Sequence, residues 1–351
     1  MLSSYSTPGA PGRISPALGG TRSEATIDSS GRLQLPARSI PVPSTISAAA
    51  QRALTTPPFG PEEWPALTDV AGWKRLGAER DAVIADLLQA RLPPFSGSVA
   101  QRALSAATLY EIQRANPPED HRQCALLYVH GGAFIFGGGP LAMRAAQPYA
   151  SLTGWTVYAI DYRMPPDHRY PAALEDTLEA YRYVIERYAP GQVAMVGFSA
   201  GAGLAAATIL KARDSFLALP AAAVLLTPEA DLTETGDTFE TTRDIDVVLR
   251  QRLTPSITLY ANGHDLRSPY LSPVYGDFSR GFPPTYLQSG TRDLFLSNTV
   301  RMHRALRRAA QTAELHVFEA MPHGGFLGAP EDQEALSEQL RFLDRYLRIG
   351  A

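Results

Sequence analysis

The sequence carries a short stretch typical of a nucleophilic serine: Gly197-Phe198-Ser199-Ala200-Gly201. An apolar run at residues 193–196 precedes it and a helical pattern follows, which predicts a strand, a sharp turn and a helix. Such a turn exposes the serine hydroxyl and places the next backbone N–H at a helix N-terminus. A hydroxyl is a weak nucleophile without an adjacent base, so the chemistry requires a base and an acid from elsewhere in the chain.

The same stretch also fits a dinucleotide-binding fingerprint, because a GxGxxA pattern begins at Gly201 and Glu229 lies downstream. The first glycine of that fingerprint must leave the strand at once, whereas Gly201 lies four residues beyond Gly197, inside the predicted helix. We interpret Gly201 and Gly203 as positions of close helix–sheet packing, and we predict that no cofactor is bound.

A second glycine-rich loop follows an earlier apolar run: His130-Gly131-Gly132-Ala133-Phe134, with Gly137-Gly138-Gly139 after it. Acyl transfer develops negative charge on a carbonyl oxygen, and backbone N–H groups aimed at that oxygen stabilise it. Small residues let the backbone approach closely enough to donate. Together with the serine motif, this pattern predicts an oxyanion loop.

The acid and the base should follow the serine in the order Ser, Asp, His. Asp293 follows a predicted strand at 285–288, and His323 follows one at 315–318; loops at the carboxyl ends of strands build the sites of α/β proteins. The other histidines fit this role less well: His303 lies in a predicted helix, His316 in a strand, His264 in an insertion, and His121, His130 and His168 precede the serine. The acids of the insertion are expected on the solvated surface: Asp231, Asp244 and Asp246.

The composition excludes several classes of protein. A formal charge of -3 gives no electrostatic reason for binding nucleic acid or an anionic membrane. Cys124 is the only cysteine, so an intrachain disulfide is excluded, and no metal-binding motif is present. The first 20 residues lack a secretory signal pattern, and the longest apolar run, near residues 216–226, is too short to span a membrane. We expect a soluble, cytoplasmic protein.

Short apolar strands alternate with amphipathic helices after residue 96, which indicates a mostly parallel sheet flanked by helices, of the α/β class. We predict an N-terminal tail or strap (1–45), a helical cap region (46–95) and a catalytic domain (96–351), with part of a cap inserted within 227–283. The predicted strands are 124–129, 156–160, 193–196, 222–226, 285–288 and 315–318. The predicted helices are 172–187, 200–213, 297–310 and 332–347.

These motifs resemble those of the bacterial hormone-sensitive-lipase-like esterases of the α/β-hydrolase fold. The resemblance runs from about Cys124 to the C-terminus and includes Asp161-Tyr162-Arg163, Pro165-Pro166-Asp167-His168 and Pro171-Ala172-Ala173. It implies that Ser199, Asp293 and His323 form a catalytic triad. It also implies that the backbone N–H groups of Gly132, Ala133 and Ala200, beside Gly131, form the oxyanion hole. Asp161 and Arg163 are expected to be structural. Since similar proteins often dimerise, the resemblance also implies a homodimer.

The chain departs from the family pattern at three places: Ala133 replaces a glycine, Phe198 precedes the nucleophile, and Leu294-Phe295-Leu296 follows the acid. Because bulk surrounds the serine, we expect Phe134, Phe136 and Phe198 to line a pocket for short- to medium-chain acyl esters, with a small-molecule ester as the partner. A lactone hydrolase or an amidase would use the same triad. A non-catalytic small-molecule receptor on the same fold usually lacks one triad residue, and here all three are present.

Overall fold

The structure, a computed structural model, describes residues 25–55 and 63–347. Three stretches lie outside the described residues: 1–24 of the predicted tail, 56–62 of the predicted cap region and 348–351 of the predicted catalytic domain. The described residues up to Val42 belong to one compact unit, and those from Pro43 onward belong to another.

The first unit contains a small antiparallel hairpin. Its strands are β1 (Thr26–Ile27) and β2 (Leu33–Gln34). The carboxylate of Asp28 closes the turn, because it accepts hydrogen bonds from the backbone N–H groups of Ser30 and Arg32, both at 2.9 Å.

The predicted cap region contains helices α1 (Ala48–Ala53) and α2 (Val70–Arg91). The side chain of Asp69 caps α2 by accepting a hydrogen bond of 2.8 Å from the backbone N–H of Gly72. Trp73 and Leu76 lie one turn apart and pack into the main hydrophobic core. The helix ends at Arg91 because Leu92 precedes a proline and is held in an extended conformation.

The second unit is built on a twisted central sheet. Its strands are β3 (Gly97–Ala103), β4 (Thr108–Arg114), β5 (Ala125–Val129), β6 (Thr156–Asp161), β7 (Val193–Phe198), β8 (Ala222–Leu226), β9 (Thr285–Gly290) and β10 (Ala313–Phe318). Within the described residues they form one eight-stranded sheet in the order β10-β9-β8-β7-β5-β6-β4-β3. Neighbours from β10 to β6 pair parallel, whereas β4 and β3 are antiparallel at one edge.

Helices cover both faces of the sheet, as the sequence predicts. They are α3 (Pro140–Thr153), α4 (Ala172–Ile185), α5 (Ala200–Asp214), α6 (Thr238–Thr241), α7 (Thr254–Ala261), α8 (Leu296–Arg308) and α9 (Pro330–Tyr346). Successive side chains of a strand point to opposite faces. Accordingly, Leu127 and Val129 of β5 join the core formed with α4, α5 and α8, whereas Leu126 and Tyr128 join the core formed with α3 and α9. The predicted α/β-hydrolase architecture is confirmed.

The elements that sequence analysis did not predict include β3, β4 and α3. Strand β3 is exposed along most of its length, so it lacks the apolar alternation that marks a strand. Helix α3 contains Pro148, which usually argues against a helix interior. None of the described helices combines the length and the apolar character that crossing a lipid bilayer requires.

Candidate active site

Ser199 lies at the sharp turn between β7 and α5, with backbone angles φ 55° and ψ -122°. A side chain at either flanking glycine would collide with the backbone. A Cβ at Gly197 would lie 2.5 Å from Cα of Ala202, and one at Gly201 would lie 2.1 Å from the carbonyl oxygen of His130. The glycines therefore allow the turn and the close contact of α5 with the sheet, which supports interpreting Gly201 as a packing position.

The structure brings Ser199, His323 and Asp293 together in a hydrogen-bonded row. Nε2 of His323 lies 2.9 Å from Oγ of Ser199, and Nδ1 of His323 lies 3.0 Å from Oδ1 of Asp293. All three residues are buried. This order of contacts lets the imidazole accept a proton from the serine while the carboxylate holds its other nitrogen.

Asp293 is held by its own loop at the end of β9. Its Oδ2 accepts a hydrogen bond of 2.6 Å from the hydroxyl of Ser289, and its Oδ1 accepts one of 2.9 Å from the backbone N–H of Phe295. These donors fix the carboxylate with its Oδ1 directed at the imidazole.

Two aromatic rings pack against His323. The Phe295 ring meets the imidazole edge to face at 5.0 Å between ring centres, and the Phe198 ring lies 5.7 Å away. Gly324 has a φ angle of +80°, and a Cβ there would lie 2.9 Å from the tip of the Phe198 ring, so a side chain at this position would strain the backbone and displace the ring. The unusual residues before the serine and after the acid therefore both contact the imidazole.

Burial of the His323 ring acts to lower its pKa, but the charge and hydrogen bond of Asp293, together with the charge of Asp246, outweigh this effect. The pKa of His323 is consequently raised above its ordinary value. A base with a raised pKa holds a proton more firmly once it has received one.

The predicted oxyanion loop lies beside the serine. A Cβ at Gly131 would be 3.0 Å from Cβ of Ser199, and Gly131, Gly132 and Ala133 all line the cavity that reaches the serine. Gly132 and Ala133 have positive φ angles of 119° and 49°, which turn the backbone sharply at this point. Among the described residues, no backbone carbonyl accepts from the N–H of Gly132 or Ala133. The N–H of Ala200, in the first turn of α5, has no intrahelical acceptor.

Buried side chains support this loop from behind. The His130 ring stacks on Tyr162 at 4.1 Å, and the Tyr162 hydroxyl donates to the carbonyl of His130 at 2.9 Å. Burial lowers the pKa of His130 to about 4, so this histidine is neutral at pH 7. Asp161 accepts a hydrogen bond from the backbone of Gly139.

Arg163 acts farther from the serine. Its guanidinium forms a bidentate ion pair with the buried carboxylate of Asp176 on α4, with a shortest distance of 2.7 Å. Its contacts therefore fix the chain after β6, in agreement with the structural role that the resemblance implies.

A cavity of about 410 Å³ opens onto Ser199 and His323. Its lining is predominantly apolar and includes Phe136 and Phe198, as expected, together with Trp64, Ile84, Leu87 and Leu88 on or near α2 and Val248, Leu249 and Leu253 from the 227–283 segment. Both predicted parts of a cap thus contribute to the cavity wall.

The expectation for Phe134 is wrong. Its ring is buried and stacks on Tyr260 of α7 at 3.9 Å between centres, and Phe134 does not line the cavity. The backbone at Phe134 has a positive φ angle of 64°. Only Phe136 and Phe198 of the three predicted phenylalanines reach the cavity.

The expectation of a solvated surface is also wrong for two acids of the 227–283 segment. Asp231 is fully buried and pairs with Arg301 of α8. Asp246 is fully buried beside the loops that carry Asp293 and His323, where it accepts hydrogen bonds from backbone N–H groups of Leu294 and His323. Sequence analysis missed Asp246 because no strand precedes it. Among the described residues, no cluster of three or more His, Cys, Asp or Glu side chains could hold a metal ion.

Comparisons with known proteins agree with this geometry. A family model described as an alpha/beta hydrolase fold matches residues 126–327. An acetyl-hydrolase of Streptomyces hygroscopicus is 38% identical over 56% of this chain and 65% of its own length, so the chain spans slightly less than two thirds of that relative. The putative acetyl-hydrolase LipR of Mycobacterium tuberculosis is 30% identical over 76% of this chain and 86% of its own length.

Solved structures show the same relationship. The crystal structure of esterase E25 has a TM-score of 0.82 at 34% identity and covers 90% of this chain and 99% of its own. That of an esterase from the bacterial hormone-sensitive lipase family has a TM-score of 0.72 at 27% identity and covers 82% of this chain and 100% of its own. The resemblance drawn from the motifs is confirmed at the level of the family.

Proposed function

Because this chain belongs to the alpha/beta hydrolase fold family, we propose that it hydrolyses carboxylic esters, with Ser199 as nucleophile, His323 as general base and Asp293 as orienting acid. The observation that carries the proposal is the hydrogen-bonded row of these residues, with contacts of 2.9 and 3.0 Å at the end of an apolar cavity. The names of the relatives, acetyl-hydrolases and esterases, support the same reaction.

In the first half of the reaction, Nε2 of His323 takes the proton of Ser199 as Oγ attacks the ester carbonyl. The carbonyl oxygen becomes an oxyanion and accepts hydrogen bonds from the backbone N–H groups of Gly132, Ala133 and Ala200. The imidazolium formed at His323 is stabilised by Asp293. His323 then gives the proton to the leaving alkoxide, and an acyl group remains on Ser199.

In the second half, a water molecule takes the place of the alcohol. His323 removes a proton from this water, which attacks the acyl carbonyl through the same oxyanion hole. Collapse of the second tetrahedral intermediate returns the proton to Ser199 and releases the acid. Every proton transfer uses Nε2 of His323, while Nδ1 stays bonded to Asp293.

The substrates are small esters with short- to medium-chain acyl groups. A cavity of about 410 Å³ falls at the small end of the range for ligand pockets, about 300–1,000 Å³. Its apolar wall provides hydrophobic contacts for an acyl chain, and Ser199 and His323 are part of the same lining.

The test compares the wild-type protein with Ser199→Ala on a panel of p-nitrophenyl esters, lactones and anilides. We expect Ser199→Ala to lower kcat by about 10⁴-fold with the fold intact, because triad residues act as a unit. Ser337→Ala, which alters an exposed serine on α9, is the matched control and should retain wild-type turnover. A fluorophosphonate should label the wild-type chain at Ser199 and leave Ser199→Ala unlabelled.

Retention of even a tenth of wild-type turnover by Ser199→Ala would contradict the role of the nucleophile. Hydrolysis of lactones or anilides well above that of esters would assign the same triad to another carbonyl substrate. A wild-type protein that binds these compounds without turnover would identify a receptor instead of an enzyme.

A further inference from the structure

The carboxylate of Asp246 connects three parts of the site. Its Oδ2 accepts hydrogen bonds from the backbone N–H of Leu294, at 2.9 Å, and from that of His323, at 3.2 Å. Its Oδ1 accepts from the backbone N–H groups of Val248 and Leu249, at 2.9 and 3.0 Å. Leu294 directly follows the acid, and Val248 and Leu249 line the cavity.

Asp246 is also a buried charge next to the triad. Its side chain is fully buried, and burial, followed by the charge of Asp293, raises its pKa to about 6, while the charge of His323 acts in the opposite direction. Asp246 and Asp293 both act electrostatically on one imidazole, that of His323. Buried charge of this kind is costly unless hydrogen bonds satisfy it, and four backbone donors do so here.

We propose that Asp246 is a positioning residue of the triad, which fixes the backbone of His323 relative to Asp293 and stabilises the imidazolium form of His323. Its carboxylate acts through the base and reaches neither Ser199 nor the substrate. The inference rests on the proposed function, since it assigns Asp246 to the same reaction.

The position of the carboxylate explains why this role needs a charged acceptor. A neutral amide at this position would turn an N–H donor towards backbone N–H groups, because both carboxylate oxygens already accept from such groups. Loss of the charge would also remove one of the interactions that raise the pKa of His323. Two effects should therefore appear together: a lower rate and a lower pKa of the base.

The experiment measures kcat, KM and the pH dependence of kcat/KM for Asp246→Asn with a p-nitrophenyl ester. We expect kcat on the plateau to fall by about 10-fold or more, KM to change much less, and the ascending limb to move to lower pH by about one unit. Asp231→Asn is the matched control, because Asp231 lies in the same segment and is equally buried, but pairs with Arg301. Its ascending limb should stay at the wild-type position.

A titration of ¹³C-labelled histidines by NMR, assigned with His323→Ala, measures the pKa of His323 without reference to turnover. We expect this pKa to be lower in Asp246→Asn than in the wild-type protein. Absence of ester hydrolysis by the wild-type protein would contradict the proposed function, and the NMR titration would still decide the effect of Asp246 on the base.

The proposal would be overturned if Asp246→Asn changed neither the ascending limb of the pH profile of kcat/KM nor the pKa of His323. It would also be overturned if Asp231→Asn moved the ascending limb by the same amount as Asp246→Asn. Asp246→Glu covers the case in which Asp246→Asn does not fold, because it keeps the charge and displaces the carboxylate. For this variant we expect a lower kcat, with the ascending limb of the pH profile of kcat/KM in its wild-type position. A limb that moves although the charge is retained, or a wild-type kcat, would overturn the proposal.

Discussion

The carboxylate of Asp81 on α2 accepts a hydrogen bond of 2.7 Å from the backbone N–H of Gly137. Gly137 has a φ angle of +89°, and a Cβ there would lie 2.7 Å from the carbonyl oxygen of Gly131. The segment around Gly137 therefore packs directly behind the proposed oxyanion loop. Asp81 links the helix that forms one wall of the cavity to the proposed oxyanion loop.

We predict that Asp81→Ala lowers kcat for ester hydrolysis by about 10-fold, because the loop loses the acceptor that fixes Gly137. An unsatisfied, partly buried N–H costs about 1–3 kcal/mol, enough to favour a shifted loop. The measurement is kcat with p-nitrophenyl acetate and butyrate. Asp86→Ala, an exposed acid on the same helix, serves as control and should retain wild-type kcat. Equal kcat values for the two variants would show that the loop does not depend on Asp81.

The proximity of Ser199, Asp293 and His323 could be predicted from the sequence because each of these residues follows a recognisable strand. The glycines around Ser199 and the parallel strands before Asp293 and His323 place all three at the same edge of the sheet. This edge is determined by short-range patterns and by the topology of α/β proteins, so no knowledge of side-chain contacts is required.

Asp246 and Phe134 could not be predicted in the same way. The position of Asp246 depends on the path of the 227–283 segment, where short helices and turns leave no periodic pattern. Phe134 lies in a loop with consecutive positive φ angles, for which no alternation rule assigns a side chain to one face. Both outcomes were determined by tertiary packing.

The pH dependence should reflect the raised pKa of His323. The base must be neutral to accept the proton of Ser199, so activity is lost below its pKa, and raising that pKa moves the loss to higher pH. We predict that kcat/KM rises with an apparent pKa above about 6.5, the ordinary value for histidine, and reaches a plateau in mild alkali. His130 does not contribute, since burial lowers its pKa to about 4. A profile measured from pH 5 to 9 tests this prediction, and a flat profile or a limb below pH 6 would contradict it.

A third prediction concerns stability and rests on Glu229, which follows β8. Its side chain is buried, and among the described residues neither carboxylate oxygen has a hydrogen-bond partner. Burial, followed by the charge of Glu234, raises the pKa of Glu229 well above its ordinary value. The folded protein therefore keeps a proton that the unfolded chain loses above about pH 4.3, so raising the pH from there to the folded pKa destabilises the fold.

We predict that Glu229→Gln removes this contribution. Relative to the wild-type protein, its free energy of unfolding should increase between pH 5 and pH 8, by about 1.4 kcal/mol per pH unit within the affected window. Urea unfolding of both proteins at several pH values measures the difference. Glu79→Gln, an exposed acid on α2, is the control and should follow the wild-type curve. If the free energy of unfolding of Glu229→Gln differed from that of the wild-type protein by the same amount at pH 5 and at pH 8, the carboxyl of Glu229 would titrate alike in the folded and the unfolded protein, which would contradict the prediction.

The last prediction concerns the length of the acyl chain and the wall formed by α2. Each methylene that enters an apolar cavity contributes up to about 0.8 kcal/mol, so kcat/KM should increase with chain length until the cavity is full. Beyond about four to six carbons, further groups must displace packed side chains at a cost of about 1–3 kcal/mol or extend into water. Phe136 and Phe198 limit the space near the serine, and Ile84 of α2 lines the same cavity.

Ile84→Ala should enlarge this cavity and move the chain length with the highest kcat/KM towards longer chains, by about two carbons. The measurement uses two series of substrates, p-nitrophenyl esters that differ in the acyl chain and acetate esters that differ in the alcohol. The change is expected in the series whose variable chain lies against Ile84. Val83→Ala is the matched control, because Val83 is adjacent in sequence, exposed and absent from the cavity wall. The control should keep the wild-type optimum in both series. An Ile84→Ala optimum that stays unchanged in both series would show that α2 does not set the limit. A wild-type preference for acyl chains of 12 or 16 carbons would show instead that the cavity opens into a channel.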